Sequence, residues 1–170
     1  KETEEQRKAR AARQAEWDKL FQKGVWRNQT VRKWRDVARE AREKSEKVHM
    51  GRLFGICVEK NSELPQSDPR RKYKYRVVFG GHQVVDQFWE AATFQDLGSS
   101  PSTMTSGKLA EYYSCLPGHA GEQADAEQAY VQALLTGTET WVCLPPEARV
   151  GPAWETKEVR NMKRPVVRLR

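Results

Sequence analysis

The chain is expected to fold as an α+β protein, with helices first and an antiparallel hairpin after them. Two observations carry that expectation. Before residue 50, apolar residues recur at intervals of three and four among helix-forming Ala, Arg, Gln, Glu and Lys; after it, two segments alternate with a period of two on either side of a polar loop. The charge shifts at the same boundary, since residues 1–47 hold 15 Lys and Arg against 9 Asp and Glu, a net +6 of the chain's +7. The 170 residues therefore divide into a basic helical N-terminal segment, 1–47, and a mixed segment, 48–170.

Lys1 to Lys23 holds no Gly or Pro and stops at Gly24, which predicts a solvated helix with Trp17, Leu20 and Phe21 as its apolar edge. A second helix is expected from Thr30 as N-cap, with Val31, Trp34, Val37, Ala38 and Ala41 on one face and Arg32, Lys33, Arg35, Arg39 and Arg42 on the other. That basic face reads as a phosphate-contacting arm or as an ordinary solvated surface. Arg52 to Glu59 and Lys72 to Phe79 read as paired strands joined by the polar loop Lys60 to Arg71. Alternation in the second strand sets Tyr73, Tyr75, Val77 and Phe79 on one face and Lys72, Lys74 and Arg76 on the other. Those three cations, with Arg70 and Arg71, suit a triphosphate or a nucleic-acid backbone; equally, they suit an edge strand guarded by charge against aggregation.

His82 to Thr103 reads as irregular, with Trp89, Phe94 and Leu97 as packing anchors. Met104 to Leu116 is expected to be a helix whose Leu109, Tyr112, Tyr113 and Leu116 form a core-facing stripe, ended by Pro117-Gly118. Glu122 to Asp125 then reads as a short strand entering a helix, Ala126 to Leu135. Thr140 to Leu144 is expected as a strand stopped by Pro145-Pro146, and Pro165 to Leu169 as the last strand.

Composition narrows the partners. A mean hydropathy of −0.86 with 31% charged residues leaves much of the chain outside a core, and a pI near 9.4 points towards polyanions, nucleic acid before an anionic membrane face. No apolar run reaches the length of a membrane span and no signal-peptide core is present, so no membrane partner is expected and the location is read as intracellular, cytoplasmic or nuclear, not secreted. Cys57, Cys115 and Cys143 are odd in number and widely spaced, which reads as buried free thiols rather than a disulfide framework or a zinc site. His49, His82 and His119 form no metal-binding spacing and read as structural or surface residues.

Asp125 carries the chemistry that remains. At a strand end its carboxylate would emerge where sites form in mixed sheets, with Tyr130 able to lie under a sugar held at the same metal. The alternative is a capping box, Asp125 at N-cap and Gln128 at N3, with Tyr130 an ordinary core ring.

Taken in order, several blocks of the chain resemble the reverse transcriptase of copia-type long-terminal-repeat retrotransposons, an RNA-directed DNA polymerase. The blocks are Glu16-Trp17 followed by Gly24-Val25-Trp26, the basic strand Tyr73-Lys74-Tyr75-Arg76-Val77-Val78, the stretch Gln123-Ala-Asp-Ala-Glu-Gln-Ala-Tyr130, then Gln132 to Leu135, Trp141-Val-Cys-Leu-Pro-Pro146 and Val166 to Arg170. The resemblance spans about Glu16 to Arg170 and is most specific around Asp125. It implies a fingers hairpin over Leu53 to Phe79 and the start of a polymerase palm from Gln123. Asp125 would be the first metal-binding and catalytic aspartate, with the Ala126 carbonyl as a further ligand for Mg²⁺ or Mn²⁺. Tyr130 would be the gate that excludes a ribose 2′-hydroxyl, and Lys74 and Arg76 would hold the incoming deoxynucleotide triphosphate. Arg70, Arg71 and Lys72 would contact the RNA or DNA template-primer.

Departures limit that expectation. Glu127, Ala133 and Glu147 stand where the family has a basic or neutral residue and two glycines. The family's second carboxylate motif, Tyr-x-Asp-Asp, does not occur, nor does any Asp-Asp pair. The expectation is therefore a catalytically incomplete part of a polymerase, with a non-catalytic basic nucleic-acid-binding module as the alternative.

Overall fold

A computed structural model describes residues 2–92 and 102–170; Phe94 and Leu97 lie outside them. It is a mixed α and β structure that divides into two compact units, residues 1–92 with 134–170 and residues 93–133.

The first unit opens with α1 (Glu4–Gln22). Thr3 caps it: its hydroxyl accepts from the Gln6 amide at 3.2 Å, and the Gln6 side chain accepts from the Thr3 amide at 3.0 Å. Gly24, at φ +61°, ends it, with its own N–H on Phe21 O at 2.9 Å and the Val25 N–H on Leu20 O at 3.3 Å. That pair of bonds needs a left-handed residue between helix and strand, which glycine supplies without a Cβ penalty.

The chain then departs from the helix expected at Thr30. Residues Trp26–Lys33 form strand β1, and helix α2 (Trp34–Glu43) starts only at Trp34. The reason is tertiary. β1 pairs antiparallel with β6 (Pro165–Leu169), and between the pairs Arg27↔Arg168 and Arg32↔Val166 the ladder bulges. Thr30 serves that bulge instead of capping a helix: its hydroxyl donates to Arg27 O at 2.6 Å and accepts from the Arg168 N–H at 3.0 Å. The first amide of α2 is satisfied from afar, by Arg164 O at 3.3 Å.

Strand β2 (Val48–Lys60) begins four residues before the expected strand and pairs antiparallel with β3 (Lys72–Phe79) and with the short β4 (Val85–Asp86). Strand β5 (Glu139–Cys143) lies parallel to the start of β2, giving the order β1-β6-β5-β2-β3 with β4 attached to β2. Alternation decides what each face covers. Trp34, Val37, Ala38 and Ala41 of α2 pack on Val48, Met50, Trp141 and Val166, which project from one face of the sheet. Trp17 of α1 meets Trp26 edge-on at a ring separation of 6.0 Å and lies 6.5 Å from Tyr75 of β3. Burial, then the Glu147 carboxylate, pushes the Tyr75 phenol up. Two glycines of β2 make room for rings of β3, since a Cβ on Gly51 or Gly55 would overlap Phe79 or Tyr75. Helices α4 (Pro152–Glu155) and α5 (Lys157–Arg160) connect β5 to β6, and the buried Trp154 indole donates to Asn28 in the bulge of β1.

The second unit holds α3 (Met104–Ser114), which starts where the helix was expected and ends two residues short of Leu116, with Thr103 as its cap. The stripe expected to be core is not: Leu109, Tyr112 and Tyr113 are exposed. Glu122 to Asp125 forms no strand, and in place of a helix from Ala126 to Leu135 there is a single turn of 3₁₀ helix, Ala129–Val131. Gln128 stands at φ +53°, a left-handed geometry that stops a helix from propagating through it. All three cysteines are free, as expected, but Cys57 and Cys115 are exposed rather than buried.

Candidate nucleic-acid interface

The hairpin β2–β3 is where sequence and structure agree most closely, and its register builds a surface. Phe54 faces Val78, Ile56 faces Arg76, Val58 faces Lys74 and Lys60 faces Lys72. In an antiparallel pair, opposed residues share a face, so Lys72, Lys74 and Arg76 stand beside an apolar row. That row is open: Phe54, Ile56 and Val58 are 41%, 45% and 53% exposed. All four cations of the face are exposed as well, and among the described residues none forms an ion pair with a carboxylate. Lys60 opposite Lys72 is a like-charge pair, which disfavours the hairpin end.

Arg70 and Arg71 are differently placed. Arg70 is bound to Asp68 at 2.8 Å, and its guanidinium holds the Asp68 carboxyl below the usual range. Arg71 reaches Glu59 at 2.8 Å and the Leu64 carbonyl at 2.9 Å. Both guanidiniums fasten the hairpin loop, which leaves Lys72, Lys74 and Arg76, of the five cations expected here, without a carboxylate partner among the described residues. Periodicity in the second strand alone marks the cations; the row Phe54, Ile56 and Val58 and the fourth cation, Lys60, emerge only when the register is known. The alternating Phe-x-Ile-x-Val of β2 is the sequence signal that would have found them.

Asp125 and Ala126 lie in irregular backbone of the second unit and are exposed, and Tyr130 is fully exposed on the 3₁₀ turn. The capping box of Asp125 with Gln128 does not form, since no helix follows. No group of three or more His, Cys, Asp or Glu that could hold a metal ion occurs among the described residues. A divalent cation at Asp125 would therefore find fewer than three such side chains among the described residues, short of the set of oxygen ligands that an all-protein Mg²⁺ site needs. The residues present do not by themselves fit the ion that the resemblance implies.

No family model, curated protein or solved structure matches the chain. Among the described residues, no helix is long and apolar enough to cross a membrane.

Proposed function

We propose that this chain is the fingers and first palm segment of an RNA-directed DNA polymerase of the copia type, and that on its own it binds nucleic acid without synthesising it. The observation that carries this reading is the open hairpin face, where Lys60, Lys72, Lys74 and Arg76 run beside Phe54, Ile56 and Val58. Unpaired cations attract phosphates and release their counterions, while exposed apolar and aromatic side chains accept unstacked bases. Support for the polymerase part comes from the ordered sequence blocks and from an antiparallel hairpin over Leu53 to Phe79, the stretch that the resemblance reads as the fingers. A non-catalytic nucleic-acid-binding module is the second reading, favoured by the exposed, irregular setting of Asp125.

Binding of a single-stranded oligonucleotide to the full chain, measured against salt concentration, tests the part common to both. Replacing Lys72, Lys74 and Arg76 together by Gln removes three phosphate contacts, so the slope of log affinity against log salt falls by about 2. An unchanged slope overturns the assignment of this face. Primer extension with Mg²⁺ and deoxynucleotides tests the incompleteness: none is expected, and extension abolished by Asp125→Ala would show that these residues suffice.

A further inference from the structure

At the foot of the same hairpin lies a pocket of about 210 Å³, lined by Arg52, Gln83, Trp89, Cys143 and Arg164 over Met50. Arg52 sits two residues before Phe54 on the same strand face and opposite Cys143 in the parallel register of β2 and β5. The pocket thus continues the hairpin's open face inward. Neither Arg52 nor Arg164 forms an ion pair with a carboxylate among the described residues.

Two wall residues are held in backbone geometry that bulky side chains rarely adopt, Trp89 at φ +69° and Arg164 at φ +53°. Each is fixed by its neighbours. The Asp86 carboxylate accepts from the amides of Phe88 at 2.8 Å and Glu90 at 3.0 Å, and the Asp86 carbonyl accepts from the Trp89 N–H at 3.1 Å. The Arg164 carbonyl is tied to the first amide of α2. The two side chains then meet, with the guanidinium of Arg164 4.6 Å from the centroid of the Trp89 ring and the Trp34 ring edge-on at 6.4 Å. Of the chain's six Trp, five are buried; Trp89 is 50% exposed.

We propose that this pocket binds the phosphate of a nucleotide, held by Arg52 and Arg164, with the base against the exposed part of Trp89 at the rim. Two guanidiniums offer forked donors to phosphate oxygens, and the Gln83 amide adds a further donor or acceptor. The volume is below the roughly 300 Å³ at which sites begin to enclose a drug-sized ligand, so the phosphate sits inside and the base lies on the surface. The ligand is either a free nucleotide or one unit of a strand that also crosses the hairpin face. No part of this rests on Asp125 or Tyr130, so it stands or falls apart from the polymerase reading.

The indole N–H signal of Trp89, assigned through Trp89→Phe, reports occupancy in NMR titrations of the full chain with deoxyadenosine monophosphate, inorganic phosphate and a short single-stranded oligonucleotide. A saturable shift with the mononucleotide identifies a free nucleotide as ligand; a shift with the oligonucleotide alone identifies a strand. Arg52→Gln and Arg164→Asn are each expected to weaken binding about tenfold or more, the loss of one charge-assisted bond. Asn tolerates the left-handed backbone at 164, and unshifted signals from the buried Trp17 and Trp26 indoles, neither of which lines the pocket, establish that each variant is folded. Arg52→Lys, which keeps the charge and loses the fork, is expected to fall between. A Trp89 signal unmoved by mononucleotide and oligonucleotide, or moved equally in both arginine variants, overturns the proposal. Equal affinity for inorganic phosphate and mononucleotide overturns the part assigned to Trp89.

Discussion

In the sheet unit, Trp side chains from α1, β1, α2, β5 and α4 are buried, whereas between Ser102 and Ala133 no described residue is buried. Most blocks of the resemblance lie in the first region, and the block around Asp125 lies in the second. The basic hairpin belongs to the first, where burial of large rings fixes the strands that present Lys72, Lys74 and Arg76. Asp125 and Tyr130 belong to the second, where no described residue is buried to fix their directions. A preorganised site needs its side chains locked by packing around them, and the hairpin meets that condition better than the segment around Asp125.

The largest expected break in this contrast is Trp34→Ala. Trp34 is 1% exposed in the cluster under α2, and truncating so large a buried ring costs about 3–5 kcal/mol, read as a lower denaturant midpoint. A loss below about 1 kcal/mol would mean that α2 is not seated on the sheet as described.

Thr30→Val is next. It keeps the shape and removes the hydroxyl that satisfies the Arg168 N–H, so about 1–3 kcal/mol is expected from the orphaned donor. Full stability in this variant would reduce the bulge of β1 to an incidental irregularity.

A gentler effect concerns pH. Burial, aided by Lys47 and opposed by Asp86, holds His49 below its ordinary value of 6.5. The unfolded chain therefore binds the proton more readily than the folded one. The contribution of neutral His49 is whole above about pH 6.5 and is lost as pH falls towards the lowered value. Thermal midpoints across this window should decline with acid in the parent and less steeply in His49→Gln; parallel curves would exclude His49 as the source.

Smallest of all should be Asp125→Ala and Tyr130→Ala, each within about 0.5 kcal/mol of the parent, because both side chains are exposed. A larger loss from either would show that the second unit depends on those side chains more than their exposure implies.

What was legible in the sequence follows the same contrast. Lys72 to Phe79 could be delimited to the residue, because period-two alternation, a bounding loop and Gly80-Gly81 all agree. Pro165 to Leu169 was legible for similar reasons. The stretch Thr30 to Lys33 was misread because its spacing continues that of Trp34 to Ala41; only its pairing with β6, more than 130 residues away, makes it a strand. Around Asp125 an acidic residue ahead of apolar spacing looked like a helix start, yet the local signal has no buried face to reinforce it, and an isolated short helix is marginal in water. Arg52, Trp89 and Arg164 are distant in sequence and share no motif, so only the fold brings them to one pocket.

The pairing of β1 with β6 also sets a schedule. Trp26 to Lys33 leave the ribosome more than 130 residues before their partner strand, and β2 is followed by the parallel β5 only about 90 residues later. Until Pro165 to Leu169 have emerged, β1 lacks the only strand it pairs with among the described residues, and both of its edges are open. Closing such distant contacts is slow, because their loop entropy must be met before they contribute. The growing chain therefore carries β1 as an unpaired strand across that whole interval, and an unpaired strand is a template for wrong pairing until one short late strand arrives.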